Sequence, residues 1–451
     1  MSIKKDTVII GGGFAGLSAA YKLLKHGIKP LIIEKEAFLG GMASCYKIEN
    51  FWIEKFYHHF FTHDSEAVAL AKELGNGNDL IWNKSRMAFF SNNKLYGFTT
   101  PLDLLRFSEI GFLDRLKVGL FRFLARKNGS CDELDSLSAE EWLNGKIGSS
   151  AYRKIVAPIL KSKFGLHIDD ISAAFIMGRI EARSQSRTKF LSRETFGYYR
   201  GGLQNFISAL HKSISSLGGD IKLNAEVEEI IVKDDSNFVI KTAQKESIHC
   251  KDIVVTVPMP IINKLITSYA DINPNLAQFN YMPVVCLCAG IKEKLSNYYW
   301  INIASEEIPF GLVVEHTNFV PVSFYNGMQI VYLSGYCDIS SPLFKMSEEE
   351  IFDYYMNGLK KIFPSFSDNK VLWWKVSKEP FATPVFARNF NKLLFQLKAK
   401  LPKGFYLAGN ILAYPQSKNV NNAIKSGINA AEEIISDYGL KESVYKHCNT
   451  C

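Results

Sequence analysis

Thr7-Val8-Ile9-Ile10-Gly11-Gly12-Gly13-Phe14-Ala15-Gly16, with Glu34 lying 18 residues beyond Gly16, is the stretch that decides how this chain is read. Thr7–Ile10 is a short continuous apolar run, as a parallel strand buried on both faces requires. Leu17, Ala20, Tyr21 and Leu24 recur at helical spacing, Gly27 stands where a helix stops, and Leu31-Ile32-Ile33 reads as a second strand. The spacing therefore predicts one βαβ unit. Its loop fits G-x-G-x-x-G: Gly11 permits a tight turn, Gly13 lets a pyrophosphate approach the backbone, and Gly16 lets the helix pack on the sheet. Phe14 and Ala15 open a helix whose free N–H groups and dipole favour phosphate. Glu34, followed by Lys35, is placed to accept hydrogen bonds from ribose hydroxyls. A dinucleotide is expected, the alternative being a glycine-rich turn in some other βαβ protein.

Outward from this unit, Leu203–Ile214 has helical period, Gly218-Gly219 breaks it, and Asp220–Val232 alternates as a strand. Ile253–Pro258 and Phe405–Ala408 are further strands, the latter followed by a helix carrying Ile424, Ile428, Ala431 and Ile435. Stretches rich in Phe, Tyr and Trp intervene, one holding the capping box Ser138-x-x-Glu141. The expected fold class is α/β: a Rossmann-type dinucleotide domain from discontinuous segments (1–85, 201–265 and 396–440), plus a mixed α+β substrate domain (86–200 and 266–395) and a tail, 441–451.

A chain of 451 residues, 47% hydrophobic and 22% charged, is an ordinary globular composition, too long for one core. No apolar run reaches the roughly 18 to 20 residues of a membrane span, and no signal-peptide layout precedes the glycine loop, so a cytoplasmic location is expected. The formal charge of +8 is spread without Lys/Arg blocks: it favours an anionic ligand or surface and does not imply nucleic acid. The eight cysteines are scattered, no metal-ligand cluster is visible, and the terminal Cys448-x-x-Cys451 reads as a reduced tail.

Gly40-Gly41-Met42-Ala43-Ser44 follows Glu34 as E-x5-GG, and here the chain resembles the FAD-dependent flavoproteins grouped with protoporphyrinogen oxidase, amine oxidases and phytoene desaturases, with UDP-galactopyranose mutase more distant. The resemblance implies FAD, with the second glycine pair crossing the pyrophosphate. Tyr198-Tyr199-Arg200-Gly201-Gly202-Leu203 is similar to the group's return into the FAD domain, Val227 to the position whose backbone meets adenine, and Thr256-Val257-Pro258 to a strand end of that domain. Gly409-Asn410, with Asn419-Val420-Asn421-Asn422, resembles the final flavin-binding segment, although Asn410 stands where many relatives carry an acid. Asn421 and Asn422 could equally cap a helix.

The implied activity is an FAD-dependent oxidoreductase taking a hydride from an organic small-molecule substrate; the alternatives are a non-redox enzyme like UDP-galactopyranose mutase acting on a sugar nucleotide, and a flavin-binding subunit without turnover. His58 and His59 follow the second glycine pair and could exchange a proton near neutral pH, or be structural and solvent-facing. Val284–Cys288 resembles the strand on which amine oxidases carry a lysine, with Cys286 near its place. Trp373, Trp374 and Ala382-Thr383-Pro384 resemble a flavin-facing stretch or are core. Arg179, Arg183 and Arg187, spaced by four, could meet a phosphate or carboxylate or form a solvated helix face. Phe107–Lys127 mixes aromatic and basic residues, as a peripheral membrane contact or an internal amphipathic helix would.

Overall fold

The computed structural model describes residues 2–124, 131–187, 193–266, 269 and 273–440. Its centre is a five-stranded sheet in the order Asp220–Lys222, Leu31–Ile33, Thr7–Ile10, Asp252–Val255, Phe405–Leu407, with every neighbouring pair parallel. Thr7–Ile10 is buried throughout, because Ile9 faces a helical layer while Val8 and Ile10 face Ile230, Phe238, Ile240 and Ile248 on a second, four-stranded sheet. Phe14–Lys25 follows it, and that helix packs against Leu203–Ser216 and Val420–Asp437 in one apolar cluster with Leu17, Leu23, Phe206, Ile424 and Ile434. The fold is thus a Rossmann-type α/β arrangement whose sheet is drawn from three distant parts of the chain.

Asp220–Val232 is not one strand. It divides into Asp220–Lys222, which joins the parallel sheet, and Val227–Asp234, which joins a separate four-stranded sheet with Ser2–Lys4, Ser247–Cys250 and Asn237–Thr242. The break falls at Asn224, whose φ of 54° is incompatible with a continuing strand. Alternation alone did not reveal it, since both pieces keep a two-residue period.

A seven-stranded mixed sheet forms the second layer system, running Val371–Pro384, Tyr281–Ile291, Gln329–Tyr336, Leu312–Glu315, Trp300–Ile303, Met87–Ser91, Lys94–Gly97. Helices between residues 101 and 185 complete that side, including Ala139–Ile147 with both halves of the Ser138/Glu141 capping box formed. A small sheet of Phe60–Phe61, Thr195–Tyr199 and Leu80–Lys84 draws strands from both sides of the expected borders near 85 and 200. Glu54 lies between the layers, fully buried, accepting from the Tyr198 hydroxyl at 2.8 Å and the Leu203 amide at 2.8 Å. These bonds fix the Tyr198–Leu203 turn.

The helix Phe112–Leu124 is amphipathic, but it is not internal: Phe112, Leu113, Leu116 and Leu120 are exposed, while Phe121 is buried. Among the described residues no helix is long and apolar enough to cross a membrane. Cys448 and Cys451 lie outside the described residues.

Candidate active site

The carboxyl ends of the parallel strands open into a cavity of about 1260 Å³ that continues to the face of the mixed sheet. This exceeds the roughly 300–1,000 Å³ of ordinary small-molecule sites, leaving room for a large cofactor and a second ligand together. Open α/β sheets bind ligands at this end because helix N-termini and loops converge there.

One wall is made by the two glycine loops. Gly13 and Gly40 form an isolated parallel bridge, and the Gly40 amide donates to the Gly12 carbonyl at 2.9 Å, so the loops run side by side. A Cβ on Gly13 would meet nothing nearer than 3.9 Å, since the position opens into the cavity. Gly11 holds a φ of +107°, and a Cβ there would sit 2.3 Å from Thr256 Oγ1. Gly16 is the exception among the glycines singled out: it does not line the cavity, and its missing side chain makes room for the Gly11 carbonyl, 2.0 Å from where a Cβ would be. Phe14 and Ala15 line the wall at the start of a helix with no side-chain cap, leaving its first N–H groups to a ligand. Glu34 is buried at the rim; its Oε2 accepts from the Gly12 amide at 2.6 Å and its Oε1 from the Glu36 amide at 2.9 Å. Those bonds aim the carboxylate, and each oxygen keeps a lone pair for a hydroxyl donor. Lys35, Gly41, Met42 and Val227 also line the cavity. This wall suits a dinucleotide diphosphate: backbone donors, no intruding side chain and an oriented acid.

A second wall comes from the C-terminal segment. Gly409, Asn410 and Val420 line it; the Gly409 amide donates to Ser426 Oγ at 2.8 Å, and Asn410 Oδ1 accepts from the Asn419 amide at 3.2 Å. The cap of Val420–Asp437 is Asn419, not Asn421 or Asn422: the Asn422 amide donates to Asn419 Oδ1 at 2.7 Å. Asn421 instead accepts from the Ala67 amide at 2.9 Å, tying this helix to Ser65–Glu73.

Between the walls stands an aromatic chamber holding His58 and His59. His58 Nδ1 lies 2.6 Å from the Phe56 carbonyl oxygen, so it carries the proton and leaves Nε2 as an acceptor. His59 stacks on Phe196 at 4.2 Å with its Nδ1 3.0 Å from the Tyr299 hydroxyl. Burial pushes His58 down to about 4 and, with Arg183 adding to it, His59 to about 3. Both rings are therefore neutral near neutral pH, not cationic donors, and the same burial makes each a weaker base than a free imidazole.

Cys286 lies in the apolar core and does not reach the cavity. Trp373 packs over Gly290 and near Phe51, and Trp374 stacks on Phe352 at 4.9 Å, so both are half-buried against the apolar clusters and neither lines the cavity. Ala382 and Pro384 from the same strand do face the cavity. Arg179 and Arg183 line it from helix Ala173–Gln185 rather than forming a solvated face, whereas Arg187 holds Glu194 at 3.2 Å. Lys163, Tyr336, Glu379 and Lys418, which no motif marked, line it too. Only Lys418 sat inside a segment already noted, just before Asn419.

The family model described as flavin containing amine oxidoreductase matches residues 14–435. The 15-cis-phytoene desaturase of Arabidopsis thaliana is 24% identical over 476 residues, covering 96% of this chain and 80% of that protein. Among solved structures, cyclohexylamine oxidase from Brevibacterium oxydans superposes with a TM-score of 0.71 at 16% identity, covering 96% of this chain and 99% of that one. Reduced UDP-galactopyranose mutase reaches 0.74 at 14% identity over 96% and 94%. At these identities the structural likenesses establish the fold.

Proposed function

The chain belongs to the flavin containing amine oxidoreductase family, and we propose that this FAD-dependent enzyme oxidises a C–H bond of an organic small molecule held in the aromatic chamber beside His58 and His59. FAD, when bound, supplies the hydride-accepting chemistry. The observation supporting the reading is the single continuous cavity in which the glycine loops, the C-terminal segment and the histidine chamber meet.

In this reading the amides at Gly13, Phe14 and Ala15 hold the diphosphate, Glu34 and Lys35 the ribose, and Val227 the adenine end. Gly40, Gly41 and Met42 cover the diphosphate, while Gly409, Asn410 and Val420 approach the flavin. Gly16 contributes by letting the helix start sit close enough to do so. Segments 1–85, 201–265 and 396–440 form the FAD-binding part and 86–200 and 266–395 the substrate domain, with Tyr57, His58, His59 and Lys418 of the FAD-binding part completing the chamber. Tyr57, Trp300, Tyr336 and Phe381 line the chamber and restrict water. The Nε2 of His58, left unprotonated by the Nδ1–H bond to the Phe56 carbonyl, faces the substrate as an acceptor where the reaction releases a proton, with His59 and the Tyr299 hydroxyl beside it. A cytoplasmic setting agrees with the free thiols of the six cysteines among the described residues.

The test is anaerobic mixing of purified holoprotein with candidate substrates. Loss of the oxidised-flavin absorption with one of them, slowed in His58→Ala or His59→Ala, is expected. Turnover only after chemical pre-reduction, with no net electron transfer, would replace this reading with isomerisation on a sugar nucleotide. Bound flavin that no substrate perturbs would make the chain a binding subunit.

A further inference from the structure

Four cationic side chains converge on the chamber: Lys163 from helix Ala157–Phe164, Arg179 and Arg183 from Ala173–Gln185, and Lys418 from the loop before Val420. The Lys163 ammonium lies 5.6 Å from the centroid of Phe175, and the Arg179 guanidinium lies 5.8 Å from the same centroid, so two positive charges lie against one aromatic ring. Lys163 is also 5.9 Å from the Tyr336 ring. Arg179 Nη1 donates to Ser417 Oγ at 3.2 Å, and Lys418, the next residue, donates to the Ala382 carbonyl. None of these bonds brings a negative charge.

Among the described residues Lys163, Arg179 and Lys418 make no ion pair; Arg183 reaches Glu194 at 3.6 Å, a carboxylate that Arg187 already holds at 3.2 Å. Glu379 faces the same cavity and attracts Lys418 without pairing with it. The remaining charge is felt. Burial, then Arg179 and Lys418, holds Lys163 well below the usual lysine range; burial, then Arg183, pushes Arg179 down to about 10, and burial lowers Lys418 to about 8. Enclosed like charges without counter-charge are costly unless a ligand supplies it. The neighbours these side chains do have, Ser417, the Ala382 carbonyl and the Phe175 and Tyr336 rings, belong to the chamber and the C-terminal segment, not to the glycine loops that would hold the cofactor's diphosphate.

We propose that the substrate carries an oxyanion, a carboxylate or a phosphate, seated between Lys163, Arg179 and Lys418. This rests on the chamber being the substrate site. The planar Arg179 fork suits two oxygens at once, and the lysines add point charges on either side. An alkylammonium group would meet the Arg179 guanidinium and two lysines there, with Glu379 alone to attract it.

Holoprotein carrying bound FAD is titrated, at constant ionic strength, with inorganic phosphate, acetate, acetamide and butylamine while the oxidised-flavin spectrum is followed. Saturable binding of an anion but of neither acetamide nor butylamine is expected, and the tighter of phosphate and acetate identifies the group. Lys163→Gln and Arg179→Gln should each weaken that binding roughly 10- to 100-fold at unchanged flavin content, as loss of a charge-assisted hydrogen bond does, with Arg179→Lys falling between. Absence of saturable anion binding, preference for butylamine, or anion affinity unmoved in flavin-loaded variants would overturn the proposal. If the variants lose flavin, the wild-type order among the four probes decides. Failure of the functional reading looks different: flavin that no substrate reduces, whether or not anions bind.

Discussion

At Gly16 a methyl group would sit 2.0 Å from the Gly11 carbonyl oxygen, and that atom is backbone, unable to step aside cheaply. Gly16→Ala should therefore destabilise the apoprotein by about 1–3 kcal/mol in urea unfolding, the usual range for overpacking, and lower flavin retention because the loop must shift. His59 makes a second prediction. Unfolded, its imidazole takes up a proton near 6.5; folded, burial and Arg183 hold it at about 3. The unfolded state thus binds more protons in this window, so the native state is stabilised above 6.5 and loses that advantage as pH falls toward 3. His59→Phe, which keeps the stacking on Phe196, should flatten the fall in urea midpoint between pH 7 and pH 5 relative to wild type. An unchanged slope would mean that the ring is open to solvent.

Elements in this fold meet through small residues and explicit caps. Helix Val420–Asp437 lies against Phe14–Lys25 with Gly427 at the crossing, where a Cβ would come 2.0 Å from the Ala15 carbonyl oxygen. Gly427→Ala should push the two helices apart and, because Ala15 lines the cavity, reduce the FAD-to-protein ratio measured after heat release. Ser138→Ala is the contrasting case. It removes the reciprocal cap of Ala139–Ile147, so a loss of about 1 kcal/mol is expected, with flavin content unchanged. The capping box was legible from four residues because its chemistry is local. The division of Asp220–Val232 was not, since what separates its halves is which sheet each one joins.

Across the whole molecule, Glu54 links the strand Phe51–Glu54 to Tyr198 and to the start of Leu203–Ser216, while the Tyr332 hydroxyl donates to its carbonyl at 2.8 Å. Burial holds its carboxyl above the usual range. Glu54→Ala strands a buried hydroxyl and a buried amide, so a loss of roughly 2–5 kcal/mol is expected from desolvated, unpaired groups. Glu54→Gln, which retains an acceptor, should recover much of it in thermal unfolding. The sequence by itself determined the parallel sheet, the glycine loops and the acid at Glu34, because that chemistry is carried by backbone: it demands glycine at set spacing, short apolar strands and a helix start, all of which leave a local mark. The chamber was decided only by the tertiary structure. Lys163, Arg179 and Lys418 belong to different elements, each could stand on a solvated surface, and their charges become informative only once the packing encloses them together, without an ion pair and largely away from water.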